Sequence, residues 1–499
     1  MSGPGLLIGL DVGTSGARAV AVDLLGNVVA SASAPYPLSV PRPGWTEQDP
    51  QQWWSASQDV LKRVVLQLSD PPLALGLTGQ MHGSVFLDGS DHVIRPALLW
   101  SDQRTESQCR TITEKVGAAR LIEITGNPAI TGFQAPKVLW LGEHEPGSYA
   151  RVRHLLLPKD YIRLRLTGEF ATDASDASGT LLLDLNRRQW SDEILAALEI
   201  PRAWLPEVFE GPDLSGRITP AAASATGLPT GLAVAAGAGD NAAAAVGNGI
   251  VREGLVSSSI GTSGVVFADS ATPRIEPRGR LHAFCHATPG RYHLMGVTLS
   301  AGGSLRWWRE AMDGQDYEVL SSLAARAPAG CEGLVFLPYL TGERTPHLDP
   351  RARGAFVGLN LRHTQAHLTR AVMEGVVYSL KDSLDLMEEI GVPVTEIRAT
   401  GGGSHSLLWR QMQADVFGRP VHRVDNEEGP AFGAALLAGV AGGAYADVPE
   451  ACSVIRLHRG VEAPDAERHR VYQGYHAAYV EAYKTLAPLM HTLADLSAS

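Results

Sequence analysis

DVGTSG at residues 11–16 returns almost unchanged as SIGTSG at residues 259–264, so the chain carries the same glycine-and-hydroxyl turn twice. The first copy lies between the apolar runs LLIGL and ARAVAVD, and the second lies between GLVSS and GVVFADS. Such runs on both sides of a glycine turn predict paired strands. The copies are about 250 residues apart, far beyond the period of a solenoid repeat. The sequence therefore predicts a duplicated α/β domain with a cleft between the copies.

Helical patterns follow the strands of each copy. Residues 49–68 begin with Asp49 as a cap and Pro50 in the first turn, and a second helical pattern covers residues 105–126. The second copy predicts helices from Thr364 to Glu389 and from Leu407 to Phe417, and a terminal helix lies within residues 469–489. We divide the chain into predicted domains at residues 1–249 and 250–445 and a C-terminal helical segment at residues 446–499.

Composition points to an ordinary globular protein with a small partner. The chain has 499 residues, of which 44% are hydrophobic, and a formal net charge of -11. This charge argues against nucleic acid and anionic membranes as partners, because both attract clustered Lys and Arg. The first apolar run meets Asp11 too soon for a signal peptide or membrane span. Four distant cysteines without a C-x-x-C pair favour the cytoplasm.

The repeated turn is a candidate phosphate cradle. Its glycines permit positive φ, and its backbone N–H groups and hydroxyls can converge on an anion. The alternative is a plain hairpin turn, but two copies flanking one cleft could hold a triphosphate from two sides. Only the first copy is preceded by an acid. Asp11 beside phosphate makes sense as a ligand of Mg²⁺, through water.

Asp240 follows an apolar run and precedes an alanine-rich helical stretch in GLAVAAGAGDNAAAAVGNG, residues 231–249. It is either an N-cap or a general base at the cleft. The same stretch loosely matches the dinucleotide fingerprint G-x-G-x-x-A, so a dehydrogenase is an alternative. That match lacks a long helix and a later acidic residue.

Two further stretches carry binding chemistry. ATGGGSHSLLWRQMQADVFGRPV, residues 399–421, places three glycines before a helix, where bare backbone can lie against a nucleotide base and ribose. The alternative is a set of ordinary capping glycines. A P-loop is excluded because no G-K-[ST] occurs.

Polyol chemistry is indicated by QMHG, residues 80–83, and WSDQR, residues 100–104. Their amide, imidazole, indole and carboxylate groups suit pairs of hydroxyls and the C–H faces of a sugar. A lone His82 is also compatible with a structural role. HAFCH, residues 282–286, has strand-like alternation, and we expect no metal there.

These stretches together resemble the FGGY carbohydrate kinases, and within them the kinases of D-xylulose. The resemblance runs from about Leu7 to Gly443 and includes PGWTEQDPQQWW, TGFQAPKVLW and GAFVGLNLRHTQAHLTRAVMEG. It implies duplicated actin-like, ribonuclease-H-like ATPase domains that face each other across a cleft. It also implies that the first domain mainly binds sugar and the second mainly binds ATP.

The resemblance implies roles for individual residues. Asp240 is the catalytic base, and Asp11 holds Mg²⁺ through water. The sugar is bound by Gln80, Met81, His82, Trp100, Asp240 and Asn241. ATP is bound by Thr14, Ser15, Arg18, Gly261, Thr262, Gly302, Gly402, Gly403 and Ser404.

The expected reaction is ATP-dependent phosphorylation of D-xylulose to D-xylulose 5-phosphate by a cytoplasmic homodimer. Two alternatives remain open: a family member acting on another ketose or polyol, and an actin-like ATPase that is not a kinase. QMHG favours D-xylulose over glycerol, gluconate or ribulose.

Overall fold

The computed structural model describes residues 5–425 and 428–498. Residues 1–4 of the first predicted domain, residues 426–427 of the second and residue 499 of the terminal segment lie outside the described residues. The strands are β1 Leu6–Val12, β2 Gly16–Asp23, β3 Val28–Pro35, β4 Glu47–Gln48, β5 Pro72–Gly79, β6 Val85–Leu87, β7 Ala97–Leu98, β8 His154–Leu156, β9 Ala171–Asp173, β10 Leu183–Asp184, β11 Gln189–Trp190, β12 Glu207–Phe209, β13 Leu214–Arg217, β14 Ala233–Ala235, β15 Ala238–Gly239, β16 Gly254–Ile260, β17 Gly264–Ser270, β18 His282–Cys285, β19 Tyr292–Thr298, β20 Val335–Leu337, β21 Ala355–Val357, β22 Val394–Thr400 and β23 Val421–Arg423.

The helices alternate with these strands. They are α1 Pro50–Val65, α2 Glu106–Val116, α3 Ala118–Thr125, α4 Gln134–His144, α5 Pro146–Tyr149, α6 Pro158–Thr167, α7 Ala174–Ala177, α8 Asp192–Leu198, α9 Pro220–Thr226, α10 Asp240–Gly247, α11 Gly302–Ala311, α12 Tyr317–Ala324, α13 Gln365–Glu389, α14 Leu407–Phe417, α15 Gly429–Ala441, α16 Val448–Ala451 and α17 Ala466–Ala498. Short 3₁₀ turns include Ser178–Thr180 and Gly402–His405.

Two large sheets repeat one topology. In the first, β3, β2, β1, β5 and β14 are neighbours in that order, and in the second the order is β19, β17, β16, β22 and β23. In both, the first two pairings are antiparallel and the last two are parallel. The prediction of a duplicated α/β fold is confirmed.

The strand register identifies equivalent positions in the two copies. Asp11 lies opposite Thr78 of β5, and Ser259 lies opposite Thr400 of β22. Both central parallel pairs also have an irregularity after their first residue. Asp11 and Ser259 therefore occupy the same place in the fold.

Most predicted elements are confirmed, with shifts at their ends. Asp49 caps α1 by accepting a hydrogen bond from the backbone N–H of Gln51. The prediction of one helical stretch over residues 105–126 is wrong at Gly117, where φ is 89° and the chain divides into α2 and α3. The predicted terminal helix is longer than expected and continues past Pro488 as α17.

Helix α15 follows the second sheet along the chain but packs on β1 and β5 of the first sheet. The approach is so close that a Cβ on Gly9 would lie 1.8 Å from the carbonyl oxygen of Ala431. A Cβ on Gly76 would lie 1.9 Å from the carbonyl oxygen of Ala434. Only glycine permits this backbone contact between a strand and a helix.

Helix α15 also crosses α10 with the same kind of contact. A Cβ on Gly433 would lie 1.8 Å from the carbonyl oxygen of Ala243. Around this crossing Ala242, Val246 and Phe432 are buried in one cluster. We call the contacts at Gly9, Gly76 and Gly433 the glycine seam.

A further apolar cluster joins α2, α3, α4, α7 and α8 to β18 and β19 and buries Phe133 and Phe284. None of the helices in the described part of the chain has the length and apolar character needed to cross a membrane.

Gly433→Ala tests the glycine seam. We expect it to destabilise the protein by about 3 kcal/mol or more, because the added methyl overlaps backbone atoms that cannot rotate away. Gly474→Ala is the matched control, since its Cβ meets nothing within 4 Å on the exposed side of α17. The control is expected to be stabilised by about 0.5–1 kcal/mol through helix propensity. Equal melting temperatures for the two variants would contradict the seam.

Candidate active site

The first glycine turn belongs to a chain of hydrogen bonds that reaches QMHG and WSDQR. The Thr14 hydroxyl accepts a hydrogen bond from the Trp100 indole N–H at 3.0 Å and donates to Oε1 of Gln80 at 3.3 Å. Gln80 donates to Oε1 of Gln48 at 3.0 Å, and Gln48 donates to the carbonyl oxygen of Thr14 at 2.8 Å. Three predicted site residues from distant segments therefore meet here.

Two partly buried carboxyl groups lie at the ends of strands in the first sheet: Asp11 is the penultimate residue of β1, and Asp240 directly follows β15. Burial and the charge of Asp240 raise the pKa of Asp11 to about 7, against the opposing effect of Arg18. Burial raises the pKa of Asp240 to about 6, although hydrogen bonds from Asn241 oppose the shift. The effect of the Asp240 charge on the pKa of Asp11 places the two carboxyl groups in one neighbourhood.

Asp240 is the first residue of α10, and the cap position before it is Gly239. The N-cap interpretation of Asp240 is therefore wrong by one residue. Its Oδ1 accepts from the backbone N–H and the side-chain amide of Asn241, at 2.6 Å and 2.9 Å. Because both hydrogen bonds go to Oδ1, the other carboxylate oxygen, Oδ2, is the one that can accept a proton.

His82 has a left-handed backbone with φ of 67°, a conformation uncommon outside glycine. Its Nδ1 lies 2.6 Å from the carbonyl oxygen of Gly179, and its ring meets Phe133 edge-on at 5.0 Å. Burial lowers its pKa to about 3, so the ring is neutral. Since a carbonyl accepts only, Nδ1 carries the proton and Nε2 is an acceptor for a ligand hydroxyl.

Met81 is buried and separates two glycines near the site. A Cβ on Gly239 would lie 2.8 Å from Cγ of Met81, and one on Gly179 would lie 3.0 Å from its Cε. Met81 therefore fixes the spacing between the chain that enters α10 and the turn that contacts His82.

The second glycine turn lines a different space, a cavity of about 900 Å³. Five residues predicted to bind ATP line it, from three separate segments of the second half: Gly261, Thr262, Gly302, Gly402 and Gly403. Helices α12 and α14 close its sides, where the hydroxyls of Ser321 and Ser406 lie 2.8 Å apart.

The remaining predicted ATP residues lie elsewhere. Thr14 and Ser15 belong to the turn of the first half. Arg18 forms an ion pair with Glu428, with Nε 2.7 Å from the carboxylate. The hydroxyl of Ser404 donates to the carbonyl oxygen of Gly401 at 2.7 Å, which is a local structural bond.

One charged residue near the sugar motif was missed by the sequence analysis. The charge of Arg344 contributes to lowering the pKa values of His82 and His282, and its guanidinium has no hydrogen-bond or ion-pair partner among the described residues. Hydrogen bonds hold its loop on both sides. The Glu343 carboxylate accepts from the backbone N–H of Leu299 at 2.9 Å, and the backbone N–H of Thr345 donates to the carbonyl oxygen of Val297 at 2.9 Å. The sequence signal that could have identified it is the arginine in TGERTP, residues 341–346.

The two histidines of HAFCH are hydrogen-bonded within the protein, and no group of three or more candidate metal ligands occurs among the described residues. His282 pairs with the Asn127 side chain at 2.7 Å, and His286 pairs with the carbonyl oxygen of Ile250 at 2.9 Å. Burial lowers the pKa of His286 to about 3.

Sequence comparison identifies the family. The N-terminal domain profile of the FGGY family of carbohydrate kinases matches residues 6–247, and its C-terminal domain profile matches residues 256–442. The chain belongs to the FGGY family of carbohydrate kinases. Family membership makes a sugar the acceptor and ATP the phosphoryl donor of this kinase.

Individual relatives of the kinase cover almost its full length. Xylulose kinase of Escherichia coli strain K12 is 42% identical over 487 residues, which are 97% of this chain and 100% of that protein. The crystal structure of xylulose kinase from Rhodospirillum rubrum has a TM-score of 0.92 at 34% identity, covering 97% of this chain and 100% of that one. A gluconate kinase from Lactobacillus acidophilus has a TM-score of 0.93 at 28% identity, covering 97% and 98%.

Gly402→Val tests whether the cavity of the second half holds the nucleotide. A Cβ on Gly402 meets nothing within 4 Å, so the variant should fold and place its side chain in the cavity. We expect the ATP KM of the kinase to rise about tenfold or more, equal to about 1.4 kcal/mol of binding, while the sugar KM stays within about twofold.

Gly147→Val is the control, because Gly147 is also exposed in a short helical turn with open space around its Cβ. Steady-state kinetics on both variants makes the comparison. An unchanged ATP KM in a folded Gly402→Val protein would remove Gly402 from the nucleotide site.

Proposed function

We propose that this kinase transfers the γ-phosphoryl group of ATP to the terminal hydroxyl of D-xylulose, giving D-xylulose 5-phosphate. The observation that supports D-xylulose as the substrate is the 42% identity with the xylulose kinase of Escherichia coli over the whole of that protein. The site fits a neutral polyol, because the neutral ring of His82 has Nε2 as an acceptor and Trp100 presents an exposed face. Gln80 supports Trp100 from behind, through the hydroxyl of Thr14. Domains 1–249 and 250–445 are proposed to bind mainly sugar and mainly ATP.

Asp240 is proposed to orient the attacking hydroxyl and accept its proton. A pKa of about 6 keeps its carboxyl mostly ionised at neutral pH, yet basic enough to take a proton in the transition state. Oδ1 is held by Asn241, so Oδ2 is the atom that faces the hydroxyl. Phosphoryl transfer needs alignment and charge stabilisation more than covalent chemistry from the protein.

Asp11 is proposed to hold Mg²⁺, mainly through water. Its Oδ1 is buried and accepts no hydrogen bond among the described residues, which fits a cation or its water ligand. Burial and the charge of Asp240 raise the pKa of Asp11, and a cation bound beside it would favour the ionised carboxylate. When bound, Mg²⁺ neutralises charge on the phosphate oxygens.

A homodimer, a cytoplasmic location and the absence of nucleic acid as a partner stay predictions from the sequence. The four cysteines are all free thiols, as the cytoplasmic prediction expects, and burial raises the pKa of Cys109 to about 12.

A substrate panel tests the proposed reaction. We expect D-xylulose to give the highest kcat/KM for ADP release among D-xylulose, L-xylulose, D-ribulose, L-ribulose, glycerol and D-gluconate. D-gluconate is included because a similar structure is a gluconate kinase. A higher kcat/KM for any other compound would overturn the substrate, while absent sugar stimulation would overturn kinase activity on this panel.

Asp240→Asn tests the proposed base. Asn keeps the acceptor atom that Asn241 contacts but cannot take a proton, so we expect kcat to fall by roughly 10²–10⁴ with little change in melting temperature. Single-turnover phosphorylation and thermal melting on the same preparation measure both effects. A variant that keeps more than about a tenth of wild-type kcat would leave Asp240 a structural residue.

A further inference from the structure

Five charged side chains are fully buried together behind the sugar site. Lys159, Asp160 and Arg163 lie on α6, Asp173 ends β9, and Asp176 lies on α7. We call them the ion cluster. The Lys159 Nζ lies 2.7 Å from a carboxylate oxygen of Asp160, 2.7 Å from one of Asp173 and 3.2 Å from one of Asp176.

Charges are costly to bury, so the ion cluster requires an explanation. Each buried ion loses several kcal/mol of hydration, and apolar residues of similar volume are often as stable. Three carboxyl groups face two cations here. Burial raises the pKa of Asp176 well above its usual range, and the charges of Asp173 and Asp160 add to this effect against that of Lys159.

The ion cluster holds the chain that leads into the helix of Asp240. Arg163 Nη2 lies 3.0 Å from Asp160 and donates to the carbonyl oxygen of Ala236 at 2.6 Å. Its Nη1 donates to the carbonyl oxygen of Ala235 at 3.2 Å. This side chain therefore fixes the start of the connection between β14 and β15.

Ser175 holds the other end of that connection. Its hydroxyl donates to Asp173 Oδ1 at 2.5 Å and accepts from the backbone N–H of Gly239 at 3.1 Å. A hydroxyl has one proton, and Asp173 also accepts from two N–H groups at the start of α7. With its proton directed to Asp173, the Ser175 oxygen is left as the acceptor for Gly239, the residue before Asp240.

We propose that Ser175 is a positioning residue for Asp240 and that the ion cluster is the rigid base that orients Ser175. The geometry has a second branch, because Asp173 caps α7 and the next turn presents Gly179 to His82 at 2.6 Å. One buried network thereby sets both the proposed base and the sugar-binding imidazole. The inference rests on the proposed role of Asp240.

Ser175→Ala is the first test. It leaves the Gly239 N–H unpaired and frees the first turn of α10, so we expect kcat to fall about tenfold to a hundredfold, as small misplacements of reacting groups do. The ATP KM and the affinity for ADP should stay within about twofold. Ser175→Cys keeps a weakly hydrogen-bonding atom in the same place, and its kcat should lie between those of Ser175→Ala and wild type.

Thr226→Val is the matched control. The buried Thr226 hydroxyl on α9 also donates to a carbonyl, that of Ala222 at 2.7 Å, and accepts from a backbone N–H, that of Leu228 at 3.3 Å. We expect Thr226→Val to lower the melting temperature about as much as Ser175→Ala while kcat stays within about twofold. Equal kcat values for the two variants would reduce Ser175 to a structural residue.

A double-mutant cycle with Asp240→Asn separates the inference from the proposed function. If Ser175 acts through Asp240, Ser175→Ala should lower kcat by less than about twofold in the Asp240→Asn background. The same factor in both backgrounds would overturn the positioning role. Full activity of Asp240→Asn alone would instead overturn the base, whatever Ser175→Ala does.

Discussion

The structure depends on backbone contact between α15 and the first sheet. Side chains larger than hydrogen at Gly9, Gly76 or Gly433 would overlap carbonyl oxygens at less than 2 Å, so the sequence can vary little there. The contact brings a helix from the second half of the chain into the core of the first, and α10 crosses it. The helix that begins with Asp240 therefore packs at the junction of the two halves of the chain.

Duplication explains how one fold supplies two kinds of site. Because the β1–β5 and β16–β22 registers coincide, Gln80 and Met81 occupy the same place after a parallel strand as Gly402 and Gly403. In the first copy the side chains of Gln80 and Met81 belong to the proposed sugar site. In the second copy the backbone of Gly402 and Gly403 lines the cavity. Asp11 and Ser259 are likewise equivalent, and the copy next to Asp240 carries the carboxylate. Divergence at matched positions, rather than new elements, separates the proposed sugar site from the proposed nucleotide site.

Most of the fold could be predicted from local sequence signals. Glycine turns, the Asp49 cap and the apolar spacing of α13 act within a few residues, so the strands and helices they predict are confirmed. Gly117 was missed because a helix-compatible pattern continues across it. The arrangement around Asp240 was less accessible, since the hydrogen bond from Gly239 to Ser175 spans 64 residues. Arg344 was also missed, because its loop is positioned by contacts to β19 that leave no periodic pattern.

The position of α15 also orders the events of synthesis. Strands β1 and β5 leave the ribosome early, but the helix that covers them ends at Ala441, after about nine-tenths of the chain has been made. Until then Gly9 and Gly76, which pack against α15 in the folded protein, lack their partner. A nascent chain that stops at residue 249 holds every strand of the first sheet and still lacks part of its core. The packing of the amino-terminal half is thus complete only once α15 has been translated.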